Sequence, residues 1–290
     1  MKIKSVLLVG LAGFALASCG GVKGYKTEVK HKVFTDSIEK FVEESTLLSA
    51  DDPFSFTINA NSKSNTKTTY FKNGKSISEE KMEIKSETSC EFDSANSVLR
   101  SKGIYETREE DASDVKTEKY DGDIVNQCDN KNFYEVDMKS KVYKKSASSK
   151  PADAVAAEAS KAIKALGAFI TQMSIFDDAK YYIDGNVYTC ELNENEEDEE
   201  STRTGKTVYQ LVAGSDKIEL YSESKVTLKK LNFTEVITDN SSYVLKKKDI
   251  KLNSVNLDNY LDGSKGFDDS ELENIVFGSS FLYGFLLNNK

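Results

Sequence analysis

Histidine is almost missing from this chain of 290 residues, which contains only His31. One imidazole is too few for most zinc sites and leaves little room for His-dependent catalysis. A Gly-x-Ser-x-Gly motif, which would mark a hydrolase nucleophile, is missing too. We therefore expect a protein that is not an enzyme, with no catalytic residue, cofactor or metal ligand to assign. Its many carboxylates keep a glycosidase-like acid and base pair open as an alternative.

Basic residues are outnumbered, with 39 Lys and Arg against 48 Asp and Glu, a net charge of -9 and a pI of about 5.0. Proteins that bind nucleic acid need a basic surface for the phosphates, so nucleic acid is excluded as a partner. The 38% hydrophobic and 30% charged content is typical of a folded soluble chain.

No hydrophobic run is long enough to span a bilayer, which takes about 20 residues. The longest, from Val6 to Leu16, follows Lys2 and Lys4 and leads into Leu16-Ala17-Ser18-Cys19. This order of features resembles the signal peptide and lipobox of bacterial lipoprotein precursors. The resemblance implies that residues 1–18 are removed and that Cys19 carries the lipid. We thus expect an extracytoplasmic protein anchored to a bacterial membrane, with residues 19–30 as a short tether.

Three cysteines remain after Cys19, namely Cys90, Cys128 and Cys190. An odd number leaves one thiol free whichever disulfide forms, and the spacings match no zinc motif. We expect buried strand thiols, with a Cys128–Cys190 bridge as the alternative.

Two segments show helical spacing of apolar residues, and each of the two prolines marks a helix end. Residues 31–48 place Phe34, Ile38 and Phe41 on one face, and this helix should end before Pro53. His31 should be an exposed residue at its start. A second, longer helix should begin at Pro151 and run for about 25 residues, with an apolar stripe from Val155 to Phe176.

Between and after the helices the apolar period is two, which indicates strands with one half-buried face. Turn dipeptides at Asn73-Gly74, Asp121-Gly122, Asp184-Gly185 and Gly214-Ser215 favour short hairpins. Such short connections require antiparallel neighbours. The sequence therefore predicts an α+β fold, with a large curved antiparallel sheet of roughly ten to twelve strands covered by the N-terminal and the long central helix.

Element order and one hairpin carry a second resemblance. A lipoprotein with an N-terminal amphipathic helix, the hairpin Tyr182-Ile183-Asp184-Gly185-Asn186-Val187-Tyr188 and a helix before the last strands is similar to the LolA and LprG/LppX-like lipoprotein carriers. The resemblance implies a half-barrel around an apolar cavity, and hence a protein that binds or carries an apolar ligand such as lipid. A packed module for surface interaction, adhesion or envelope sensing is the alternative, and any protein partner is unknown.

Apolar positions on the predicted strands and the central helix are the candidates for lining such a cavity. They are Met82, Ile84, Phe92, Tyr134, Val136, Met138, Phe169, Met173 and Phe176.

Two further segments lie outside this scheme. Glu194 to Glu200 holds six acids in seven positions but lacks the spacing and glycine of a calcium loop, so we expect a solvated hairpin tip.

Residues 31–290 should form one domain, ending in a helical tail of about 268–288. The apolar residues of this tail should dock in the domain or touch the membrane.

Replacing Cys19 with Ala should release the protein from membranes, since the lipid is the expected anchor. The measurement is the share of protein in the membrane pellet after fractionation, with Cys90→Ala, at a predicted strand position, as the control. Unchanged membrane retention of Cys19→Ala would reject the lipobox as the sole anchor.

Overall fold

The structure is a computed structural model, and it describes residues 27–49, 54–198 and 200–263. Within these residues the strands are β1 (Glu28–Val29), β2 (Phe56–Lys72), β3 (Lys75–Asp93), β4 (Val98–Glu110), β5 (Val115–Cys128), β6 (Asn132–Asp137), β7 (Val142–Ala147), β8 (Lys180–Asp184), β9 (Val187–Glu197), β10 (Ser201–Ala213), β11 (Lys217–Lys230), β12 (Phe233–Lys247) and β13 (Leu261–Asp262). The helices are α1 (His31–Glu44) and α2 (Pro151–Gln172), with a 3-10 turn at Leu257–Asn259. The predicted leader and tether up to residue 26, Pro53 and the tail at 268–288 lie outside the described residues.

All the strands belong to one open sheet in the order β1-β8-β9-β10-β11-β12-β2-β3-β4-β5-β6-β7-β13. Every neighbouring pair is antiparallel except β7 and β13. The prediction of a large antiparallel sheet with two helices is confirmed. The described residues hold 13 strands rather than ten to twelve, because the two-residue strands β1 and β13 carry no periodic signal.

Backbone conformation explains the tight hairpin at Asn73-Gly74. Both residues have positive φ, at 52° and 74°, as a two-residue turn between twisted strands requires. Gly185 has φ 61° in the β8–β9 hairpin, and Gly214 lies between β10 and β11. These three predicted turns are confirmed.

The predicted turn at Asp121-Gly122 is wrong. Both residues lie inside β5, where Gly122 pairs directly with Gly103 of β4 and Asp121 with Ile104. The chain turns earlier, where the Asp111 carboxylate accepts backbone hydrogen bonds from Ser113 and Asp114. An aspartate that binds the backbone two residues on forms this turn without glycine.

Helix α1 is shorter than predicted. It ends at Glu44 because Ser45 takes an extended conformation, although the Ser45 N–H still bonds the Phe41 carbonyl. As a result Leu47, and not Ser45, is buried in the core beside Phe34 and Ile38.

Helix α2 ends at Gln172, so Met173 and Phe176 of the predicted stripe follow it rather than belong to it. Its buried residues include Val155, Ile163 and Leu166, as the period predicts. Both helices pack on the same face of the sheet, which we call the helix face, in a core that includes Phe56, Ile58, Phe92, Leu99, Tyr181, Cys190, Tyr209, Leu211, Ile218, Leu220, Tyr243 and Leu245.

A smaller cluster lies on the opposite face, where Val98, Val125 and Val136 are buried under the segment that leads to β13. Two polar side chains hold this segment in place. Asp93 accepts the Leu252 N–H at 2.9 Å, and Gln127 exchanges two hydrogen bonds with the Val255 backbone. Hydrogen bonds from the Leu252, Asn96 and Ala95 groups outweigh burial and lower the pKa of Asp93.

Charged residues of β3 face water on the opposite face, as the alternation predicts. Glu83 lies between Lys63 at 2.5 Å and Lys85 at 3.0 Å. Exposed pairs of this kind contribute about 0–1 kcal/mol each. Their effect is to keep this face soluble.

The helices cover only part of the helix face. The core cluster reaches Ala60 on β2, Cys90 on β3 and Tyr243 on β12. Strand β3 alone has 19 residues, a length of roughly 60 Å at about 3.3 Å each. We call the distal half the part of the helix face that lies past these three residues, on the side away from the helices.

Among the described residues, the helices lack the length and the apolar character needed to cross a membrane.

A matched pair of glycine substitutions tests the strand packing. A Cβ on Gly205 would lie 2.6 Å from the Lys225 carbonyl oxygen and 2.8 Å from the Val226 Cα, so Gly205→Ala must push β10 and β11 apart. A Cβ on Gly103 would meet nothing closer than 3.7 Å. In urea denaturation, Gly205→Ala should lose roughly 1–3 kcal/mol, and Gly103→Ala should change stability by less than about 0.5 kcal/mol. Equal effects would contradict the register.

Candidate functional site

The nine candidate cavity residues fall in three separate places. Four of them, Phe92, Phe169, Met173 and Phe176, meet in or against the core under the helices. Tyr134, Val136 and Met138 belong to the cluster on the opposite face. Met82 and Ile84 lie on the distal half, where Met82 is exposed and Ile84 half-buried. Strand alternation places the second group on the other face, and distance along β3 separates Met82 and Ile84 from Phe92, so the nine side chains do not share one cavity.

The space between α2 and the sheet is nearly filled. A cavity of about 20 Å³ remains there, lined by Leu166, Phe169, Leu220, Tyr221, Ser222, Ser241 and Tyr243. This volume has room for about one water molecule. The buried Tyr243 hydroxyl beside it has no hydrogen-bond partner among the described residues. A lipid chain does not fit in this space.

His31 is half-buried, and the prediction that it is exposed is wrong. Its ring stacks on Tyr181 with centroids 4.9 Å apart, and its Nε2 lies 2.5 Å from the Ser174 carbonyl oxygen. The ring thereby ties the start of α1 to the turn after α2. This contact gives His31 a structural role.

The three cysteines are free thiols, so the alternative Cys128–Cys190 bridge is not formed. Cys90 and Cys190 are buried, as predicted, and Cys128 is half-buried. Burial raises the pKa of Cys90 and of Cys190 to about 12. Thiols of such high pKa are poor nucleophiles near neutral pH.

Only the end of the acidic run forms the hairpin tip, because the run up to Glu197 belongs to β9 and the turn begins at Asp198. The Glu194 side chain is 9% exposed and pairs with Arg203, whereas Glu196, Glu197, Asp198 and Glu200 are exposed. The Asp198 carboxylate accepts hydrogen bonds from the Glu200 and Ser201 N–H groups, which closes the turn. No group of three or more His, Cys, Asp or Glu within the described ranges is arranged to hold a metal ion.

An open groove of about 530 Å³ lies at the end of the distal half. It is lined by β2, β3, β4, β5, β12 and the turn at residues 111–114, through Thr66, Thr68, Tyr70, Glu80, Lys81, Met82, Glu109, Glu110, Asp111, Asp114, Lys116, Phe233 and Glu235. Volumes of about 300–1,000 Å³ are typical of small-molecule sites. Because six of these residues are acids and two are lysines, the groove has a negative lining.

A strip of mostly apolar side chains runs across the strands beside the groove, on the side nearer the helices. Register places Met82, Thr66, Ile237 and Val226 in one row across β3, β2, β12 and β11. Ile84 lies in the next row on β3. The distal half therefore combines a polar groove with an apolar strip.

Two tyrosines border this strip on β4 and β5. Tyr105 and Tyr120 pair directly across the strands, with ring centroids 6.4 Å apart, and Tyr120 is 61% exposed. The neighbouring pair, Gly103 and Gly122, has no side chains. Glycine in a strand interior often marks a place where another group approaches the backbone closely.

A buried carboxylate lies on the distal half between Ser64 and Ser224. Asp239 is 2% exposed, and neither of its oxygens has a hydrogen-bond partner among the described residues. Burial raises the pKa of Asp239 to about 6, and the nearby Ser64 hydroxyl offsets only part of this effect.

Sequence reasoning missed the groove residues Tyr70, Glu80, Phe233 and Glu235. The Asn73-Gly74 turn does place Tyr70 near Glu80, because a hairpin brings its two strands side by side. Phe233 and Glu235 join them only through the pairing of β12 with β2, which no local pattern indicates.

Comparison with known proteins gives no family for this chain. No family model matches it, and no curated protein matches it. Among solved structures, one of lipid–protein interactions in lipovitellin is similar at 6% identity with a TM-score of 0.30, over 72% of this chain and 27% of that one. An AttH-like protein from Nitrosomonas europaea is similar at 8% identity, TM-score 0.18, over 69% of this chain and 54% of that one.

The translocator domain of the autotransporter NalP from Neisseria meningitidis is also similar, at 8% identity with a TM-score of 0.21, over 75% of this chain and 95% of that one. This chain thus spans about a quarter of the lipovitellin chain and about half of the AttH-like chain. At TM-scores this low the similarities decide neither the fold nor the function.

Asp239→Asn should stabilise the protein at neutral pH. With a pKa of about 6 in the folded state against about 4 when unfolded, the folded protein binds the proton more tightly, so stability falls as pH rises from 4 to above 6. Removing the charge should restore roughly 1–3 kcal/mol at pH 7.5 and about 0.5 kcal/mol at pH 4.

Urea denaturation at the two pH values measures this difference. The control is Asp178→Asn, at an exposed position between α2 and β8, which should change stability by less than about 0.5 kcal/mol. A destabilised Asp239→Asn at pH 7.5 would show instead that the carboxylate has a favourable partner.

Proposed function

We propose that this chain is a non-enzymatic, lipid-anchored extracytoplasmic protein that binds an apolar ligand such as lipid on the distal half of its sheet. The lipobox at Leu16-Ala17-Ser18-Cys19 supports the anchor and its bacterial membrane location. The resemblance to half-barrel lipoprotein carriers, drawn from element order, is the basis for the lipid class.

The observation that carries the proposal is the contrast between the two parts of the helix face. Under the helices, side chains leave about 20 Å³, while the distal half holds an open groove of about 530 Å³. The ligand therefore binds beyond the helices. The packed part keeps the sheet rigid, which supports a preformed binding surface.

Apolar side chains on the distal half provide the contact area. Met82 and Ile84 of β3 lie on the same face as Ile237 of β12, with β2 between these strands, and Tyr105 and Tyr120 border them. Burying such side chains contributes about 25 cal/mol per Å² of apolar surface. A short tether holds this surface near the bilayer from which an apolar ligand would come.

A second function is favoured by the exposed tyrosine pair. A filled core with exposed aromatic side chains is also typical of a surface interaction or adhesion module. In that case the distal half contacts a protein or glycan and holds no lipid.

Binding of N-phenyl-1-naphthylamine, a neutral apolar dye, to the mature chain from residue 20 distinguishes the two functions. We expect dye fluorescence to rise on binding, and Met82→Glu with Ile84→Glu to weaken binding at least about tenfold, since the ligand would then bury charges. Val33→Glu, on an exposed position of α1, is the matched control and should bind like the unmodified protein.

Organic extraction of the same protein with mass spectrometry gives an independent readout, and we expect a co-purifying lipid. If no lipid is extracted and the dye does not bind, the apolar-ligand function is rejected in favour of the surface module. Equal dye affinity for the double variant and the control would place the ligand outside the distal half.

A further inference from the structure

The strand register places two carboxylates on either side of Thr68 in the groove. Thr68 of β2 pairs with Glu80 of β3 on one side and with Glu235 of β12 on the other. All three lie in one row on the helix face, one row beyond Met82, Thr66 and Ile237. The carboxylates therefore stand beside the apolar strip, in the adjacent row.

Neither carboxylate forms an ion pair with a cation among the described residues. Glu80 accepts a hydrogen bond from the Tyr70 hydroxyl at 2.9 Å, and Glu235 lies 3.4 Å from the Thr68 hydroxyl. Within the described ranges no Lys or Arg nitrogen lies within ion-pair distance of either carboxylate. By contrast Glu110, at the groove's margin, is paired with Lys81 at 2.9 Å and Arg108 at 3.3 Å.

Aromatic rings form the next row of the groove. Tyr70 pairs with Phe233 across β2 and β12, with ring centroids 6.4 Å apart. The Lys230 ammonium already lies 5.8 Å from the centroid of Phe233. A ring in this position thus accepts a cation, as ring faces do generally.

The ionisation of the Tyr70 hydroxyl is affected by the carboxylates of the groove. Its hydrogen bond to Glu80 raises the pKa of Tyr70, and burial and the charges of Glu80 and Glu235 add to this effect in that order. Both carboxylates therefore act on the same small volume beside the rings.

We propose that the groove binds the cationic ammonium head of an amphiphile, whose hydrocarbon chain lies on the apolar strip. This inference rests on the proposed function, because it assigns the head-group end of the same ligand. Glu80 and Glu235 supply the opposite charge, Tyr70 and Phe233 supply ring surface, and Met82 begins the path for the chain. The groove volume of about 530 Å³ is ample for a head group.

Three probes with the same dodecyl chain and different head groups test the proposal. They are dodecyltrimethylammonium, dodecyl sulfate and dodecyl maltoside, each titrated into the mature chain by calorimetry below the concentration at which it forms micelles. We expect the ammonium probe to bind at least about tenfold more tightly than the maltoside. Its advantage should shrink as salt is raised, because the carboxylates are partly exposed.

The decisive variant is Glu80→Gln with Glu235→Gln, which keeps shape and hydrogen-bond acceptors but removes both charges. It should bind the ammonium and maltoside probes within about twofold of each other, with maltoside affinity unchanged and an unchanged melting temperature. Glu39→Gln with Glu43→Gln, on exposed positions of α1, removes the same charge elsewhere and should keep the ammonium preference. This control separates the groove from the general attraction of an acidic protein for cations.

The outcomes separate this proposal from the function on which it rests. If the maltoside binds and the ammonium probe binds no tighter, the head-group assignment is overturned while the apolar-ligand function stands. A preference for ammonium that survives in Glu80→Gln with Glu235→Gln would equally overturn it. If none of the three probes binds, the proposed function itself fails.

Discussion

The pairing of β12 with β2 holds the two halves of the chain in one sheet. Without it, the sheet would separate into one sheet of β1 and β8 to β12 and another of β2 to β7 and β13. The pairing runs from Phe233 opposite Tyr70 to Lys247 opposite Phe56 without a break. A slip of one residue in β2 would turn Ile58 away from the helices and bring the exposed Asn59 under them. The core, the buried Asp239 and the groove all depend on this register.

The limited length of the helices decides which part of the sheet is left for binding. Helix α2 has 22 residues, a length of roughly 33 Å, and the longest strands are nearly twice as long. The helix face therefore changes in character along each strand. It passes from phenylalanine and isoleucine, through the serines at 222 and 241, to the charged groove. The stabilising core and the proposed binding groove therefore lie at different ends of the same strands.

Periodic patterns predicted the parts of the fold that depend on local sequence. Alternation from Met82 to Phe92 gave the correct face of β3, and Pro151 marked the true start of α2. Local patterns failed where a distant contact decided the outcome. Asp121-Gly122 has turn chemistry, but the partner strand with Gly103 keeps it extended. Local sequence predicts an exposed His31 because its stacking partner, Tyr181, is 150 residues away in the chain. Predicting the groove also requires knowledge of distant strand pairing, because Glu80 and Glu235 come together only through their pairing with β2.

Strand β1 also has a mechanical consequence. It pairs only Glu28 with Tyr182 and Val29 with Tyr181 at the edge of the sheet, and His31 stacks on the same Tyr181. A load applied through residues 19–26 would reach the domain at this edge and peel its hydrogen bonds apart one after another. Peeling opposes force far less than shearing two long strands past each other. The first part to yield under tension would thus be β1 and the start of α1, while the β12–β2 seam and the groove beside it would stay intact.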